Sequence, residues 1–387
     1  MPIHPEPGGL PVIARTTLAV FMLLTGLLAH AGGPSPQAAR IIDELSLRAA
    51  DKPVSALPGW APKKVLVTLP PMFLAVAPDY PQLLQAAAGD VELVIDDSGD
   101  FVPRAELLQG VDALIGLCSP ATVAAASKLF WLHNYFVGMD RCATLGAEQV
   151  KGRVFTNGKR LSGPAIAEHS IAMVMALARG LPAYQRAQVE SRWDNSLRGE
   201  VRFGELNGRT MLVVGLGGIG TEVAWRAHGL GMNVIATRNS SRSGPDYVSY
   251  VGLADELHEL AGRADVVVNA LPLTPATSGL FDRQFFAAVK PGALFISVGR
   301  GKSTVTADLV AALESGQLYG AGLDVTDPEP LPADSPLWQL PNVIITPHSS
   351  AAGGDSLRRG AIIAAENLRR YVAGEALLNT VNMEAGY

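Results

Sequence analysis

Apolar residues in this chain fall in short runs, and stretches with apolar positions at helical spacing lie between them. KKVLVTLP from Lys63, VELVIDD, VDALIGLCS and LFWLHNYFVG make a first series, with helical pieces over 80–88, 104–110 and 122–127. A second series follows: TMLVV, MNVIAT, ADVVVNALP, GALFISVG, YGAGLDV and NVIITP. Strands that alternate with helices predict parallel sheets flanked by helices, an α/β chain of two doubly wound domains. Runs that stay apolar predict sheets buried on both faces. Between the two series, Ser162-Gly163-Pro164 opens a long helix over 165–179, with proline early, where its missing N–H is no loss. A last helix over 356–373 is expected to cross back and complete the first domain.

The second series starts with a specific signal. Gly215-Leu216-Gly217-Gly218-Ile219-Gly220 fits G-x-G-x-x-G, with a strand before it and helical spacing over 221–230 after it. The first glycine permits the turn, the second lets the backbone approach a pyrophosphate, and the third lets helix and strand pack closely. The phosphates are expected on the exposed N–H groups at the helix start. A strand-to-helix turn that binds nothing is the bland alternative. In such a unit an acidic residue at the end of the second strand takes the ribose hydroxyls of NAD. Here that strand ends in Arg238-Asn239-Ser240-Ser241-Arg242. No carboxylate stands there to repel a 2′-phosphate, and two arginines and two hydroxyls are available to bind one. NADP is therefore the expected cofactor. The alternative is a solvated loop that leaves the chain open to NAD as well.

Ligands on parallel sheets bind beyond the carboxyl ends of the strands. In the second series those ends carry Pro272 and Thr277, then Val298-Gly299-Arg300-Gly301, then Asp324 with Asp327-Pro328-Glu329-Pro330 beyond it, and finally His348. Reduction of a 2-keto acid needs a fixed cation for the carboxylate and ketone, which suits the planar fork of Arg300. It needs a proton donor near neutral pH, which suits His348. A carboxylate beside that histidine orients the ring, and Glu329 fits. In the first series, Phe136-Val137-Gly138-Met139-Asp140 lies at a strand end, where Gly138 lets backbone come close to a small ligand. Each residue also has a plainer reading: Arg300 as a surface salt bridge, Glu329 as solvated, His348 as a cap, the 136–140 stretch as a simple turn. His169, near the start of the long helix, reads as a structural hydrogen-bonding residue. No H-x-x-x-H or C-x-x-C pattern offers a metal site.

Composition narrows the picture. The 387 residues are 48% apolar and 17% charged, which suits a globular chain with two sizeable cores. A net charge of −5 gives no global electrostatic case for nucleic acid. Cys118 and Cys142 show neither metal-ligand spacing nor a disulfide framework and are expected as two packed thiols, with a bridge as the alternative in an oxidising compartment. Residues 18–29 (LAVFMLLTGLLA) followed by Ala29-His30-Ala31 have the pattern of a secretory signal peptide cleaved after Ala31. The run is short for a membrane span, which needs roughly 20 residues. The expectation is a periplasmic or secreted protein with no integral span after processing; an uncleaved anchor or a cytoplasmic protein with a misplaced start is the alternative. Residues 32–62 read as a linker or strap with one helical pattern over 38–50.

The motifs GLGGIG (215–220), LPLTPATSGLFD (271–282), KPGALFISVGRGKSTVTADLVAALESGQLYGAGLDVTDPEPLPADSPLW (290–338) and NVIITPH (342–348) occur in order. SGPAIAEHSIAMVMALAR (162–179), YFVGMD (135–140) and ENLRRYVAGEAL (366–377) join them. With these, residues 63–383 closely resemble the D-isomer-specific 2-hydroxyacid dehydrogenase family. The resemblance implies a flavodoxin-like substrate domain over 63–161 completed by 350–387. It implies a Rossmann cofactor domain over 162–349, and an active-site cleft between the two. It implies Arg300 as substrate binder, His348 as acid/base and Glu329 as its partner. Val137 and Gly138 match the loop whose amides hold the substrate carboxylate. Gly218 and Ile219 match the pyrophosphate contacts, and Pro272, Thr277, Val298, Gly299 and Asp324 match positions lining the cofactor. The implied activity is NAD(P)-dependent interconversion of a small 2-keto acid and a D-2-hydroxy acid, of the glyoxylate/hydroxypyruvate reductase type, in a homodimer. The resemblance also reaches non-enzymatic, nucleotide-sensing co-regulators, which is the alternative function. Three features depart from the common pattern: the signal-like N-terminus, Arg238 in place of an acidic residue, and an expected lack of the extra regulatory domain of longer phosphoglycerate dehydrogenases.

Overall fold

The structure is a computed structural model that describes residues 33–199, 201–239 and 241–384. The signal-like segment over 1–31 lies outside the described residues.

The first series of runs becomes a parallel sheet of β1 (Lys64–Thr68), β2 (Glu92–Asp96), β3 (Ala113–Gly116), β4 (Trp131–Asn134) and β5 (Val154–Asn157), in the order β2-β1-β3-β4-β5. The last strand has no counterpart in the apolar pattern. Its four residues, VFTN, are half polar and too short to stand out. The second series becomes a parallel sheet of seven strands: β6 (Thr210–Val214), β7 (Asn233–Thr237), β8 (Tyr250–Gly252), β9 (Val266–Asn269), β10 (Ala293–Ser297), β11 (Leu318–Leu323) and β12 (Val343–Ile345). Their order is β12-β11-β10-β9-β6-β7-β8. The three-residue β8 is the second strand that the pattern does not reveal. Both sheets are doubly wound, as expected. The chain direction across each reverses at one point, β1/β3 in the first and β6/β9 in the second, which is where such folds open a crevice.

Strand periodicity explains why both faces are covered. In β6, Met211 and Val213 point into one core with the helices Gly163–Ala178 and Gly218–Gly229, while Leu212 and Val214 point into the other with Leu257, Leu260, Phe285 and Leu309. Continuous apolar strands are what a sheet buried on both sides requires.

Both chain ends fasten onto the first sheet. The helix Gly354–Ala373 packs on the helices Tyr80–Ala88 and Pro71–Val76, and Tyr371 donates a 2.7 Å hydrogen bond to the Asp112 carboxylate. Pro71 at an early helical position and buried Phe73 make residues 71–76 a short helix. The 104–110 stretch forms only a 3-10 turn, Ala105–Leu108. The strap helix is Pro36–Glu44, capped by the Ser35 hydroxyl, and ends earlier than the 38–50 pattern suggests because Ser46 turns into left-handed backbone at φ 48°. Ile41 and Leu45 pack on Ile362, Ile363 and Leu378 of the C-terminal segment.

The two cysteines are not free thiols. Cys118, just past β3, and Cys142, in the turn Asp140–Cys142 beyond β4, form a disulfide with Cα atoms 5.9 Å apart. Adjacency of β3 and β4 brings them together, and a sequence separation of 24 gives no sign of it.

Candidate active site

The dinucleotide turn is built as its glycines require. Gly215 adopts φ 96°, and a Cβ on Gly220 would lie 2.1 Å from the Gly215 carbonyl oxygen. A side chain at either position would open the turn. Gly217 caps the helix Gly218–Gly229 and has open space where its Cβ would stand, which leaves the backbone accessible to a ligand. Ile219, in the first turn of that helix, is half-buried against the sheet. At the end of β7, the Arg238 side chain donates to the Ser243 carbonyl at 2.9 Å and, among the described residues, to no other group. Arg242 is not free for a ligand: it pairs with Glu256 at 2.6 Å and donates to the Tyr250 hydroxyl at 3.0 Å. Pro272 and Thr277 close one loop, with the Thr277 hydroxyl donating to the Pro272 carbonyl at 2.7 Å. Val298 and Gly299 follow β10, where a Cβ on Gly299 would meet the Leu271 carbonyl at 2.6 Å.

His348 and Glu329 are brought together. Nδ1 of His348 lies 2.9 Å from Oε2 of Glu329, both side chains partly exposed. His348 takes φ 51°, uncommon for a residue with a Cβ, and its N–H donates to the carbonyls of Asp324 and Thr346. Asp324 holds this loop from below. It is 1% exposed and accepts from the Thr346 hydroxyl (2.7 Å) and the amides of Ser349 (2.8 Å) and Ser350 (3.1 Å). Burial alone would raise its carboxyl, but hydrogen bonds from Ser350, Thr346 and Ser349 hold it below the usual carboxylate range. His169 donates to or accepts from Thr346 at 2.9 Å, the structural role read for it.

Arg300 reaches the other way. Its Nε donates to Oδ2 of Asp140 at 2.8 Å and its Nη1 to the Gly299 carbonyl at 2.8 Å. Gly138 lies directly under the guanidinium: a Cβ there would be 1.9 Å from Nη2 of Arg300. Side chains tie this loop back by its carbonyls. Asn134 donates to Phe136 (2.7 Å) and Gly138 (3.0 Å), and Asn157 donates to Val137 (2.7 Å). Among the described residues no partner takes the amides of Val137 and Gly138, which remain available to an anion beside Arg300. Asp140 and Thr346 are the site residues that sequence reading misses. Asp140 lies two positions beyond Gly138, yet nothing in the sequence marks its pairing with a residue 160 positions away.

The arrangement thus offers two free amides and one guanidinium edge for a carboxylate, plus an imidazole fixed by a carboxylate. Among the described residues no group of three or more His, Cys, Asp and Glu side chains is placed to hold a metal ion.

The family described as "D-isomer specific 2-hydroxyacid dehydrogenase, NAD binding domain" matches residues 171–350. A glyoxylate reductase of Korarchaeum cryptofilum is 33% identical over 285 residues, 72% of this chain and 85% of that protein. A D-3-phosphoglycerate dehydrogenase of Methanocaldococcus jannaschii is 33% identical over 261 residues, 67% of this chain, and the match spans about half (49%) of that longer protein. Among solved structures, a D-isomer specific 2-hydroxyacid dehydrogenase from Xanthobacter autotrophicus Py2, in complex with NADPH and MES, superposes with a TM-score of 0.69 at 30% identity. That likeness covers 84% of this chain and 99% of the other.

Proposed function

The chain belongs to the D-isomer specific 2-hydroxyacid dehydrogenase family, and from that premise we propose that it reduces a small 2-keto acid to the D-2-hydroxy acid, and catalyses the reverse, with a nicotinamide cofactor. Glyoxylate or hydroxypyruvate is the substrate type. The observation that carries this reading is that Arg300 and the His348–Glu329 pair lie beyond the carboxyl ends of the neighbouring strands β10, β11 and β12, with the unpartnered amides of Val137 and Gly138 beside Arg300.

The residues around the glycine turn fit a dinucleotide, since Gly217 leaves its surroundings open and Gly220 admits the close helix. When bound, the cofactor supplies or takes the hydride. The chain's own residues do the rest. The amides of Val137 and Gly138 and the free edge of Arg300 hold the substrate carboxylate, and the same cation draws electron density from the ketone oxygen. Glu329 accepts from Nδ1–H of His348, which fixes the tautomer and leaves Nε2 to face substrate. Protonated Nε2 gives its proton to the oxygen as hydride arrives at the carbon; in the reverse direction neutral Nε2 takes it. Asp324, at a cofactor-lining position, also sets the backbone that carries His348.

NADP is the cofactor of this reading, supported by Arg238 free of a carboxylate, with NAD as the second choice. The domain division is 63–161 with 350–387 for substrate and 162–349 for cofactor. A homodimer is supported by the exposed apolar side chains Met175, Leu181, Val189 and Trp193, clustered in one stretch of sequence. Export to a periplasmic or extracellular space is supported by the signal-like 1–31 stretch and by the Cys118–Cys142 disulfide. Among the described residues no helix is long and apolar enough to cross a membrane. A co-regulator without catalysis finds no support in the enzyme relatives or in the complete Arg300/Glu329/His348 set. Turnover of a panel of small 2-keto acids with both cofactors is the test.

A further inference from the structure

Four cations from three separate segments lie around the start of the helix Gly218–Gly229: Arg160 packs on Gly218, Asn379 donates to the carbonyls of both Lys159 (2.8 Å) and Arg48 (2.9 Å), and Arg238 follows Thr237, whose carbonyl accepts from the amides of Gly215 and Leu216 in the glycine turn. Arg48 comes from the strap, Lys159 and Arg160 from the segment after β5, and Arg238 from the end of β7. Arg160 lies on the dinucleotide turn itself: a Cβ on Gly218 would be 2.8 Å from its Cγ and 3.4 Å from its Cα. Its backbone is left-handed at φ 72°, and its Nη1 donates to the Leu45 carbonyl at 3.2 Å, so the side chain bridges the helix start and the strap. Glu222, beside Arg160, is already taken by Arg226 at 2.6 Å. Among the described residues none of the four cations forms an ion pair with a carboxylate.

Apart from the hydrogen bond from Arg160 to Leu45, crowding of like charges costs the fold stability. Lys159 and Arg160 are half-buried, and both are pushed below their ordinary values, first by burial and then by the neighbouring cations. Like charges crowded at reduced dielectric repel, and a bound anion relieves that repulsion. The location says which anion. Arg238 ends the strand where the adenosine ribose of a dinucleotide lies, and Gly218 opens the helix that faces its phosphates.

We propose that Arg48, Lys159 and Arg160 join Arg238 in a single pocket for the 2′-phosphate of an adenosine dinucleotide. The strap and the substrate-domain segment after β5, and not the end of β7 alone, then set the preference for the phosphorylated cofactor. The inference rests on the reading of residues 215–220 as a dinucleotide turn. It also gives the strap a function: the ligand ties strap, substrate domain and cofactor domain together through one phosphate.

The test is titration of the whole protein, by tryptophan fluorescence, with NADPH, NADH, adenosine 2′,5′-bisphosphate and AMP. It is run on the unaltered protein and on Arg48→Gln, Lys159→Gln, Arg160→Gln and Arg238→Gln. The bisphosphate should bind the unaltered protein more tightly than AMP. Lys159→Gln and Arg160→Gln should weaken NADPH and the bisphosphate about tenfold or more, as expected for loss of a charge-assisted hydrogen bond. Arg48→Gln, at an exposed position, should weaken them about two- to fivefold. The ratio of NADPH to NADH affinity should fall in step. Arg160 also packs on Gly218, so Lys159→Gln and Arg48→Gln carry the test without that packing change. Equal losses for NADPH and NADH, or an unchanged ratio in Lys159→Gln, would overturn the proposal. If only Arg238→Gln weakens the bisphosphate, the shared pocket falls while the cofactor reading stands. If the unaltered protein binds neither dinucleotide, both fall.

Discussion

Nε of Arg300 donates a 2.8 Å hydrogen bond to Oδ2 of Asp140, and this pair links the end of β10 in one sheet to the turn beyond β4 in the other. One edge of the guanidinium is thereby committed to Asp140 and Nη1 to the Gly299 carbonyl. Nη2, over Gly138, is the edge that the proposed function gives to the substrate carboxylate. Asp140 is thus a positioning residue for the cation. Asp140→Asn should raise KM for the keto acid about tenfold, the size of a weakened charge-assisted hydrogen bond, with a smaller effect on kcat. Steady-state kinetics with the keto acid varied checks this. A loss that appears instead in cofactor affinity would contradict the positioning role.

Gly138 is required by the same contact. A methyl group there would stand 1.9 Å from Nη2 of Arg300 and 2.7 Å from Oδ2 of Asp140. Both are tips of flexible side chains, so the fold tolerates Gly138→Ala and the arginine moves aside. Displacement of about 1 Å lowers kcat/KM roughly 100-fold. Thermal melting beside kinetics separates the effects: the melting temperature should hardly move while activity collapses.

The disulfide closes a loop between residues 24 positions apart. Loop closure of that length stabilises a folded chain by about 3–4 kcal/mol. The double variant Cys118→Ser/Cys142→Ser should lose that amount in urea unfolding, and a dithiol reductant should have the same effect on the unaltered protein. Unchanged unfolding midpoints in both would show that the bridge does not form in solution.

His133 introduces a pH dependence. It is fully buried in β4, with Nδ1 2.9 Å from the Thr156 hydroxyl and Nε2 without a partner among the described residues, and burial pushes it down to about 3. The unfolded chain, with an ordinary histidine near 6.5, binds the proton first as pH falls. Stability from this group is therefore complete above about pH 6.5 and is lost towards about pH 3, at up to ~1.4 kcal/mol per pH unit. Urea unfolding at about pH 7 and about pH 5 should show the slope. His133→Gln, which removes the titrating ring, should flatten it.

Much of this molecule is legible in its sequence because the strands are buried on both faces and so carry continuous apolar runs. Among the described residues, ten of the twelve strands follow from those runs; β5 and β8, short and partly polar at sheet edges, do not. The glycine turn and the positions of Arg300, Glu329 and His348 beyond strand ends are equally legible, since local geometry dictates residue type in such a turn and runs of apolar residues mark the strands. What the sequence hides are pairings made only by the tertiary fold. Asp140 with Arg300, Cys118 with Cys142, and Arg48 beside Lys159 and Arg160 each join segments with no common periodicity. Arg242 illustrates the converse: it reads as a free phosphate ligand until Glu256 is seen beside it.

In the proposed reaction His348, held by Glu329, moves the proton that accompanies hydride transfer to a small 2-keto acid. The most direct measurement is the nicotinamide absorbance of NADPH mixed with the purified protein and glyoxylate or hydroxypyruvate, with and without His348→Ala. Oxidation of NADPH should depend on the keto acid and fall by about two to four orders of magnitude in His348→Ala, while NADPH still binds. Absence of oxidation with every small 2-keto acid, or a His348→Ala protein as active as the unaltered one, would contradict it.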